Sequence, residues 1–354
     1  MKNLANQNIQ VMNPYNPPIE GRRYFDGCLL DFNERTTPYG DVVKKALEKL
    51  TQENVFQRYP EYGDINERIA QYASTRPKNI MIINGSDQGI DIIFKTFTKP
   101  GDEVIIPSPS FAMFYQCAEL CGNKIITPTY NTDNGSFPLQ DVLNAITDKT
   151  KLVVVCNPNN PTGTQVSPDD IERILKKLKN GLVYVDEAYA EYSGITAIPL
   201  IEKYPNLVIT RTFSKAFGLA ALRIGYVIAP VLLIREMAKV RGPYDINMAG
   251  LYTARAVLQN LQPLKIYIQQ VMKVSKPMLE QFFRENGVMF YPSSAHFILF
   301  RPKNPAQIFN NLRERGFLIR PRKGYGFDNT VRVSMGTVGQ TKQFIETYKS
   351  LINQ

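Results

Sequence analysis

LVVVCNPNNPTGTQVSPDDIERILKKLKNGLVYVD (residues 152–186) has the pattern of a β-α-β unit. Its ends, LVVVC (152–156) and LVYVD (182–186), are apolar runs typical of strands that are buried on both faces of a sheet. Between them, Ser167 and Pro168 suit the N-cap and first position of a helix, and Asn180-Gly181 suits its end. This order predicts two parallel strands joined by a right-handed crossover.

The alternation of strands and helices continues on both sides of this unit. IMIIN (80–84) predicts a short apolar strand, followed by a helix that begins near Ser86 and stops at Pro100-Gly101. Further strands are predicted at 104–106, 207–211 and 224–228. After about residue 245 the pattern changes to a long helical stretch through the 250s to the 280s, followed by strands mixed with helices.

These patterns predict an α/β fold with two domains, because 354 residues are too many for one simple core. The predicted large domain spans 46–245, with a mostly parallel central sheet flanked by helices. A smaller α+β domain spans 246–354. Residues 1–45 are Pro-rich and irregular, and they are expected to form an N-terminal arm and part of the small domain, folding onto the C-terminal part or reaching another subunit.

The composition excludes several classes of function. The chain contains no apolar run of 18 residues and no signal-peptide pattern, so we expect no membrane span and a cytoplasmic location. One histidine, His296, and four scattered cysteines indicate neither a zinc site nor a disulfide scaffold, and no metal is expected. The net charge of +10 is spread along the chain without a nucleic-acid signature. It indicates either a solvated basic surface or attraction of a phosphorylated or carboxylated substrate.

Polar residues follow the predicted strands where those strands end. Ligands bind at the carboxyl ends of parallel strands, so these segments are expected to meet at one edge of the sheet. Ser86 stands at a helix start, as an anion site or a simple N-cap. Asp186 ends an apolar strand and needs a buried cationic partner unless it is exposed. Lys215, among small and apolar residues, is either a nucleophile with a lowered pKa or a surface lysine.

Three motifs and one arginine carry a resemblance to a known family. They are NPTG (160–163), DEAY (186–189), TFSKAFGLAALRIG (212–225) and Arg332. In this order and spacing, the chain resembles the fold type I pyridoxal-phosphate (PLP) aminotransferases, and within them the histidinol-phosphate aminotransferase group. The resemblance covers most of the chain. It implies the PLP-dependent transferase fold type I and PLP as the cofactor.

The resemblance implies a role for each residue of the cofactor site. Lys215 would bind PLP as a Schiff base and move the proton during the reaction. Asp186 would keep the pyridine nitrogen protonated, which makes the ring an electron sink. Asn160 and Tyr189 would bond the phenolic oxygen, and Phe111 would stack on the ring. The phosphate would be held by Ser86, Asp87, Thr212, Ser214 and Arg223, and by Tyr59 of a neighbouring subunit, which implies a homodimer with shared sites.

The resemblance also implies how the substrate is held. Arg332 matches an arginine that grips a carboxylate or a phosphate through its planar fork. Tyr15 resembles an N-terminal tyrosine that reaches the partner's substrate. Asn33 resembles the asparagine of a substrate loop, and Arg320 and Arg322 are further candidates for an anionic tail. The chain departs from the group in the loop FNERTTPYG (32–40), at His296 and at Ala221, all bordering the substrate pocket.

Three functions are compatible with this reading. The first is an aminotransferase that moves an amino group between glutamate and imidazole acetol phosphate, another phosphorylated ketone or an aromatic 2-oxo acid. The second is a PLP-dependent decarboxylase of a phosphorylated amino acid, since the bond that breaks depends on which one stands perpendicular to the cofactor plane. The third, a PLP-binding regulatory domain, is expected to carry an additional DNA-binding module, for which the chain has no room.

Overall fold

The computed structural model describes residues 3–352, so the first two and last two positions of the predicted arm and small domain lie outside the described residues. The helices are α1 (Gln7–Gln10), α2 (Asp41–Glu53), α3 (Ile65–Tyr72), α4 (Gly85–Phe97), α5 (Ala112–Leu120), α6 (Leu139–Ala145), α7 (Pro168–Lys177), α8 (Ala190–Ser193), α9 (Val231–Val240), α10 (Met248–Gln259), α11 (Gln262–Gln270), α12 (Lys276–Glu285), α13 (Pro305–Glu314) and α14 (Val338–Ile352). The strands are β1 (Cys28–Leu29), β2 (Ile80–Ile83), β3 (Glu103–Ile105), β4 (Lys124–Ile126), β5 (Thr150–Cys156), β6 (Leu182–Asp186), β7 (Leu207–Thr212), β8 (Gly225–Ile228), β9 (Met289–Phe290), β10 (Phe297–Arg301), β11 (Phe317–Leu318), β12 (Arg320–Arg322) and β13 (Thr330–Ser334).

A seven-stranded sheet forms the centre of the molecule, in the order β2-β8-β7-β6-β5-β3-β4. Strand β8 is antiparallel to both of its neighbours, and the other pairings are parallel. The antiparallel strand arises because β8 returns directly from the end of β7, with no crossover helix between them. The predicted α/β class with a mostly parallel sheet is therefore confirmed.

Alternate side chains of the central strands enter two separate cores, one on each face of the sheet. Val153 and Val183 pack in one core, and Leu152 and Tyr184 pack in the other. All four are buried. The apolar runs of residues 152–156 and 182–186 thus form strands that are covered on both faces, as predicted.

The helix between these strands begins as predicted and ends earlier than predicted. The backbone N–H of Asp170 donates to Ser167 Oγ at 3.1 Å, with Pro168 at the first helical position. The helix ends at Lys177 instead of Asn180, because Leu178 leaves the helical conformation and is buried in the core. In α4, the N-cap position belongs to Asn84, so the reading of Ser86 as an N-cap is wrong; Ser86 lies inside the first turn.

A second, antiparallel sheet has the order β12-β13-β10-β9. Strand β1 pairs in parallel with β11, so part of the N-terminal segment joins the C-terminal part of the chain. The predicted long helical stretch is α10 followed by α11 and α12, which are joined by a π-helical turn, Val271–Ser275. The domain boundaries stay a prediction. Within residues 3–352, every helix is too short or too polar to cross a membrane.

Candidate active site

One cavity of 610 Å³ opens where β5, β6 and β7 end. Every residue of the predicted site except Asn33 and Tyr59 lines it. The loops after these strands converge because parallel strands present their carboxyl ends at one edge. The predicted residues in its wall are Tyr15, Ser86, Asp87, Phe111, Asn160, Asp186, Tyr189, Thr212, Ser214, Lys215, Arg223, Arg320, Arg322 and Arg332.

Lys215 reaches the cavity from the loop between β7 and β8. Phe213 and Phe217 anchor this loop, because both side chains are fully buried in the core. The Nζ atom of Lys215 donates a hydrogen bond to the backbone carbonyl of Phe32 at 2.9 Å. Burial, assisted by the positive charge of Arg332, lowers the pKa of Lys215 to about 8. An amine with this pKa is partly unprotonated near neutral pH and can act as a nucleophile.

Asp186 ends β6 and is buried, with 3% of its surface exposed. Its Oδ1 atom accepts hydrogen bonds from the backbone N–H of Ala188 at 3.1 Å and from Thr210 Oγ1 at 3.2 Å. Burial nevertheless raises the pKa of Asp186 to about 7. Among residues 3–352, no cationic side chain pairs with this carboxylate. A protonated pyridine nitrogen would supply the missing positive charge, so the site fits the cofactor here.

Two polar side chains, Tyr189 and Asn160, line the same cavity as Lys215. The Lys215 Nζ atom lies 6.0 Å from the centre of the Tyr189 ring. Burial raises the pKa of the Tyr189 hydroxyl, which therefore stays protonated at neutral pH. The Oδ1 atom of Asn160 accepts a hydrogen bond from Arg332. Tyr189 and Asn160 could each bond an oxygen on the cofactor ring, while Phe111 and Ala188 add apolar surface to the wall.

The start of α4 provides a site for the cofactor phosphate. Ser86 lies in the first helical turn, where backbone N–H groups are unpaired within the helix and favour an anion. Gly225 lies so close that a Cβ atom at this position would stand 2.9 Å from the Ser86 nitrogen. Arg223 donates to Asp87 Oδ2 at 2.7 Å and to Ser214 Oγ at 3.5 Å. The hydroxyls of Thr212 and Ser214 complete this edge of the cavity.

Three arginines lie at the opposite side of the site on β12 and β13. Arg320 and Arg332 are directly opposite each other in the antiparallel pair, and Arg322 lies two residues from Arg320 on the same face. Arg332 donates to Asn160 and to the carbonyl of Asp31 at 2.5 Å. Burial lowers the pKa of Arg332 to about 9 and also lowers that of Arg322. Arg322 Nε is buried without a hydrogen-bond partner among the described residues.

Two predicted site residues lie outside the cavity wall. Asn33 is 1% exposed and lies behind Tyr189, to which its Nδ2 donates at 3.0 Å. The structure therefore places Asn33 behind the cavity wall, and not in the wall where a substrate could touch it. Tyr59 is 72% exposed and stacks on Tyr244 with ring centres 4.0 Å apart, away from the cavity of its own chain. Its predicted contact with a neighbouring subunit stays a prediction.

The N-terminal arm lies on its own chain. Asn8 Nδ2 donates to the carbonyls of Glu119 and Leu120, at 3.2 and 2.9 Å, which fixes α1 against the end of α5. Tyr15 consequently lines the cavity of the same chain. Its predicted contact with a partner's substrate stays a prediction.

Sequence reasoning missed several residues that line the cavity. Arg22 binds both oxygens of Asp31, at 3.0 and 2.9 Å, donates to Glu34 at 2.5 Å and lies 4.0 Å from the Phe32 ring centre. Arg22 begins a single 3-10 turn, Arg22–Tyr24, which is too short to show a periodic pattern in the sequence. In the loop FNERTTPYG (32–40) only Asn33 is a predicted site residue, although the loop supplies Phe32 and Glu34 to the cavity wall. Other missed residues are Met113, Gln116 and Cys156.

PLP, when bound, withdraws electrons from the carbon that carries the transferred amino group. The residues present can hold it: Asp186 for the ring nitrogen, Lys215 for the covalent bond, and the start of α4 with Arg223 for the phosphate. The amine of Lys215 can also move a proton at the reacting carbon, since its lowered pKa allows both protonation states near pH 7.

Comparisons with known proteins agree with this geometry. The model of the family "Aminotransferase class I and II" matches residues 28–347. The chain is 33% identical to a histidinol-phosphate aminotransferase of Ruminiclostridium cellulolyticum, over 98% of this chain and 97% of the relative. It is also 33% identical to one of Caldanaerobacter subterraneus, over 92% and 93% of the two chains. A crystal structure of histidinol-phosphate aminotransferase from Sinorhizobium meliloti in complex with pyridoxal-5'-phosphate has a TM-score of 0.88, at 23% identity and 99% coverage of both chains.

Proposed function

The chain belongs to the class I and II aminotransferase family, and from this premise we propose that it transfers an amino group between glutamate and imidazole acetol phosphate, the keto form of histidinol phosphate. A PLP-dependent aminotransferase activity is the reaction that the family and the full-length relatives support. The cofactor is PLP. The substrate pair is the one that the histidinol-phosphate aminotransferase relatives suggest.

The observation that carries the proposal is the group of arginines at the end of the cavity. Arg320 and Arg332 face each other across two strands, and like charges in this arrangement destabilise a sheet. Arg22 is neutralised by Asp31 and Glu34, and Arg223 by Asp87. In contrast, Arg320 and Arg322 form no ion pair among the described residues. An anionic group of the substrate would supply the missing negative charge.

A phosphate suits this position better than a carboxylate alone. It carries about two negative charges and several acceptor oxygens, so it can bond more than one guanidinium at once. Hydrogen bonds to Asn160 and to the carbonyl of Asp31 hold the guanidinium of Arg332 in place. These contacts fix the direction of its remaining N–H donors. We infer that Arg332 binds the carboxylate of glutamate in one half-reaction and takes part with Arg320 and Arg322 in binding the phosphate of the acceptor in the other.

We also propose a cytoplasmic homodimer in which two chains share each site. The exposed aromatic pair of Tyr59 and Tyr244 lies outside the chain's own cavity, and such a surface pair suits a contact with a second copy. The test mixes two inactive variants, Lys215→Ala and Tyr59→Ala. If the sites are shared, mixed dimers regain part of the activity, because one of their two sites contains both native residues. No recovery after subunit exchange would contradict the shared site.

The substrate pair is tested by separate half-reactions on the purified PLP enzyme. Glutamate should change the absorbance of the bound cofactor, and imidazole acetol phosphate should restore it. The matched control is the same ketone without phosphate, which should need a concentration about 10- to 100-fold higher, the scale of lost charge-assisted hydrogen bonds. Release of CO2 from phosphothreonine, with no response to glutamate, would instead indicate the decarboxylase.

The variant Arg322→Gln links this preference to the site. It should raise the KM for the phosphorylated acceptor about 10- to 100-fold and leave the KM for the acceptor lacking phosphate nearly unchanged. Arg235→Gln is the control, since Arg235 is an exposed arginine on α9. Equal effects of Arg322→Gln on both acceptors would contradict the phosphate site.

A further inference from the structure

We propose that Asn33 is a positioning residue, which makes the Tyr189 hydroxyl a hydrogen-bond donor toward the cavity. Asn33 does not line the cavity, and it is almost completely buried. Its Nδ2 atom lies 3.0 Å from the Tyr189 hydroxyl. Tyr189, in contrast, lines the cavity beside Lys215. The side chain of Asn33 therefore reaches the cavity through Tyr189.

Every polar group of Asn33 has a partner. Its backbone N–H donates to Ser334 Oγ at 3.1 Å, and its backbone carbonyl lies 3.0 Å from His296 Nε2. Its side-chain Oδ1 lies 3.0 Å from Ser334 Oγ, and its Nδ2 bonds Tyr189. Since β13 supplies Ser334 and the start of β10 lies next to His296, two strands hold this one residue in place.

These contacts determine the direction of each hydrogen bond. Ser334 Oγ already accepts from the backbone N–H of Asn33, so its own single proton is available for Oδ1. Oδ1 is therefore the acceptor end of the amide, and the NH2 end must face Tyr189. His296 is consistent with this order: burial lowers its pKa to about 3, so the ring is neutral and donates from Nε2 to the carbonyl of Asn33.

The Tyr189 oxygen thus accepts a hydrogen bond from Asn33 Nδ2 and keeps its own proton to donate. A tyrosine hydroxyl has one proton to donate, and Asn33 is its hydrogen-bond partner among the described residues. Because the ring lines the cavity, the free proton is directed to a group bound there. A donor facing the phenolic oxygen of the cofactor stabilises that oxygen in its ionised form and lowers the pKa of the cofactor chromophore.

The backbone of Asn33 allows a test that spares the fold. Its φ angle is 55°, in the left-handed region that glycine adopts most easily. Asn33→Gly therefore removes the side chain while relieving the backbone, and it keeps the backbone bonds to Ser334 and His296. Asn54 is a matched control, because it is an exposed asparagine with a φ of 49° at the end of α2.

The experiment titrates the absorbance of PLP bound to each variant without substrate. Asn33→Gly should raise the pKa of the chromophore by up to about one pH unit, the size expected for one hydrogen bond. Asn33→Asp should raise the chromophore pKa further, since the carboxylate accepts the hydrogen bond from the Tyr189 hydroxyl and adds negative charge. Tyr189→Phe should also raise it, and Asn54→Gly should titrate as the native protein does.

The double variant Asn33→Gly/Tyr189→Phe distinguishes positioning from general loosening of the site. If Asn33 acts through Tyr189, the double variant titrates like Tyr189→Phe alone. A sum of the two single shifts, or an Asn33→Gly protein that titrates like the native one, would overturn the proposal. The measurement uses no substrate, so its outcome does not depend on whether the proposed substrate pair is correct.

Discussion

The Nζ atom of Lys215 and the carbonyl oxygen of Phe32 are joined by a hydrogen bond of 2.9 Å across 183 residues of sequence. Phe32 precedes Asn33 in the loop that follows β1, and Lys215 follows β7 in the large sheet. The bond therefore ties the reactive amine to the part of the chain that pairs with the C-terminal strands. A carbonyl accepts from an amine in either charge state, so the contact orients Lys215 while burial sets its lowered pKa.

Replacing Lys215 by alanine should abolish covalent attachment of the cofactor. After reduction with borohydride, the native protein should gain the mass of the cofactor, and Lys215→Ala should not. Turnover should fall by at least about 10²- to 10⁴-fold, the range for loss of a catalytic acid–base group. Lys203→Ala is the control, because Lys203 is an exposed lysine that pairs with Glu172 at 2.8 Å. A mass gain in Lys215→Ala would place the covalent bond elsewhere.

Asp186 should make the cofactor-free protein less stable as the pH rises. Its pKa is raised from 3.8 to about 7 in the folded protein, so below pH 3.8 both states are protonated. Between pH 4 and 7 the folded state binds the proton and the unfolded state has released it, and the free energy of unfolding falls with increasing pH. The total loss is on the order of 4 kcal/mol.

The variant Asp186→Asn removes this titration. Urea denaturation of the cofactor-free proteins at pH 5 and pH 8 should show a smaller decrease for Asp186→Asn than for the native protein. With PLP bound, the native protein should lose less stability between pH 5 and pH 8 than Asp186→Asn does. The reason is that the native carboxylate then pairs with a cation and the amide does not. If the free energy of unfolding of the two cofactor-free proteins fell equally between pH 5 and pH 8, the raised pKa of Asp186 would be contradicted.

The strands and the cofactor side of the site could be predicted because local signals mark them. The apolar runs at 152–156 and 182–186 are buried on both faces, and Asp186 and Lys215 follow strand ends that meet at one edge of the sheet. The family motifs then gave each residue a role. The antiparallel direction of β8 is not a local property, since it depends on how the chain returns after Lys215.

The other wall of the site could not be predicted from local patterns. Arg22 and Glu34 belong to an irregular segment, and they reach the cavity because β1 pairs with β11, about 290 residues later. Asn33 was assigned to the substrate because its loop has that role in the resembling group. Its burial behind Tyr189 depends on Ser334 and His296, whose positions come from the second sheet.

Replacing Arg320 by glutamine should stabilise the ligand-free protein. Arg320 and Arg332 are directly opposite on β12 and β13, and removing one of two like charges should raise the free energy of unfolding by about 0.5–1 kcal/mol. Inorganic phosphate should raise the Tm of the native protein more than that of Arg320→Gln, because the variant binds it less well. Thermal unfolding with and without phosphate tests both points. Arg235→Gln, on exposed α9, should respond to phosphate as the native protein does.

Glu187, which follows Asp186 at the end of β6, forms a buried ion pair with Arg211 of β7. This pair links the ends of the two strands. Glu187 Oε2 accepts from Arg211 Nε at 2.9 Å and from its Nη2 at 2.8 Å. Glu187 also accepts from the backbone N–H of Ala197 at 2.6 Å and from Thr196 Oγ1 at 2.8 Å. The side chain of Glu187 is completely buried, and that of Arg211 is 10% exposed. Removing one partner would leave the other charge buried without compensation.

Glu187→Ala should therefore lower the free energy of unfolding by about 3–5 kcal/mol, measured by urea denaturation. Adding Arg211→Met should recover part of this loss, because an apolar pair can replace a buried ion pair at little cost. The recovery should be incomplete, since Arg211 also stabilises the charge of the half-buried Glu191. Asp91→Ala breaks the exposed pair with Lys95 and should cost less than about 1 kcal/mol. If Glu187→Ala were no more destabilising than Asp91→Ala, the ion pair would not be what holds these strand ends.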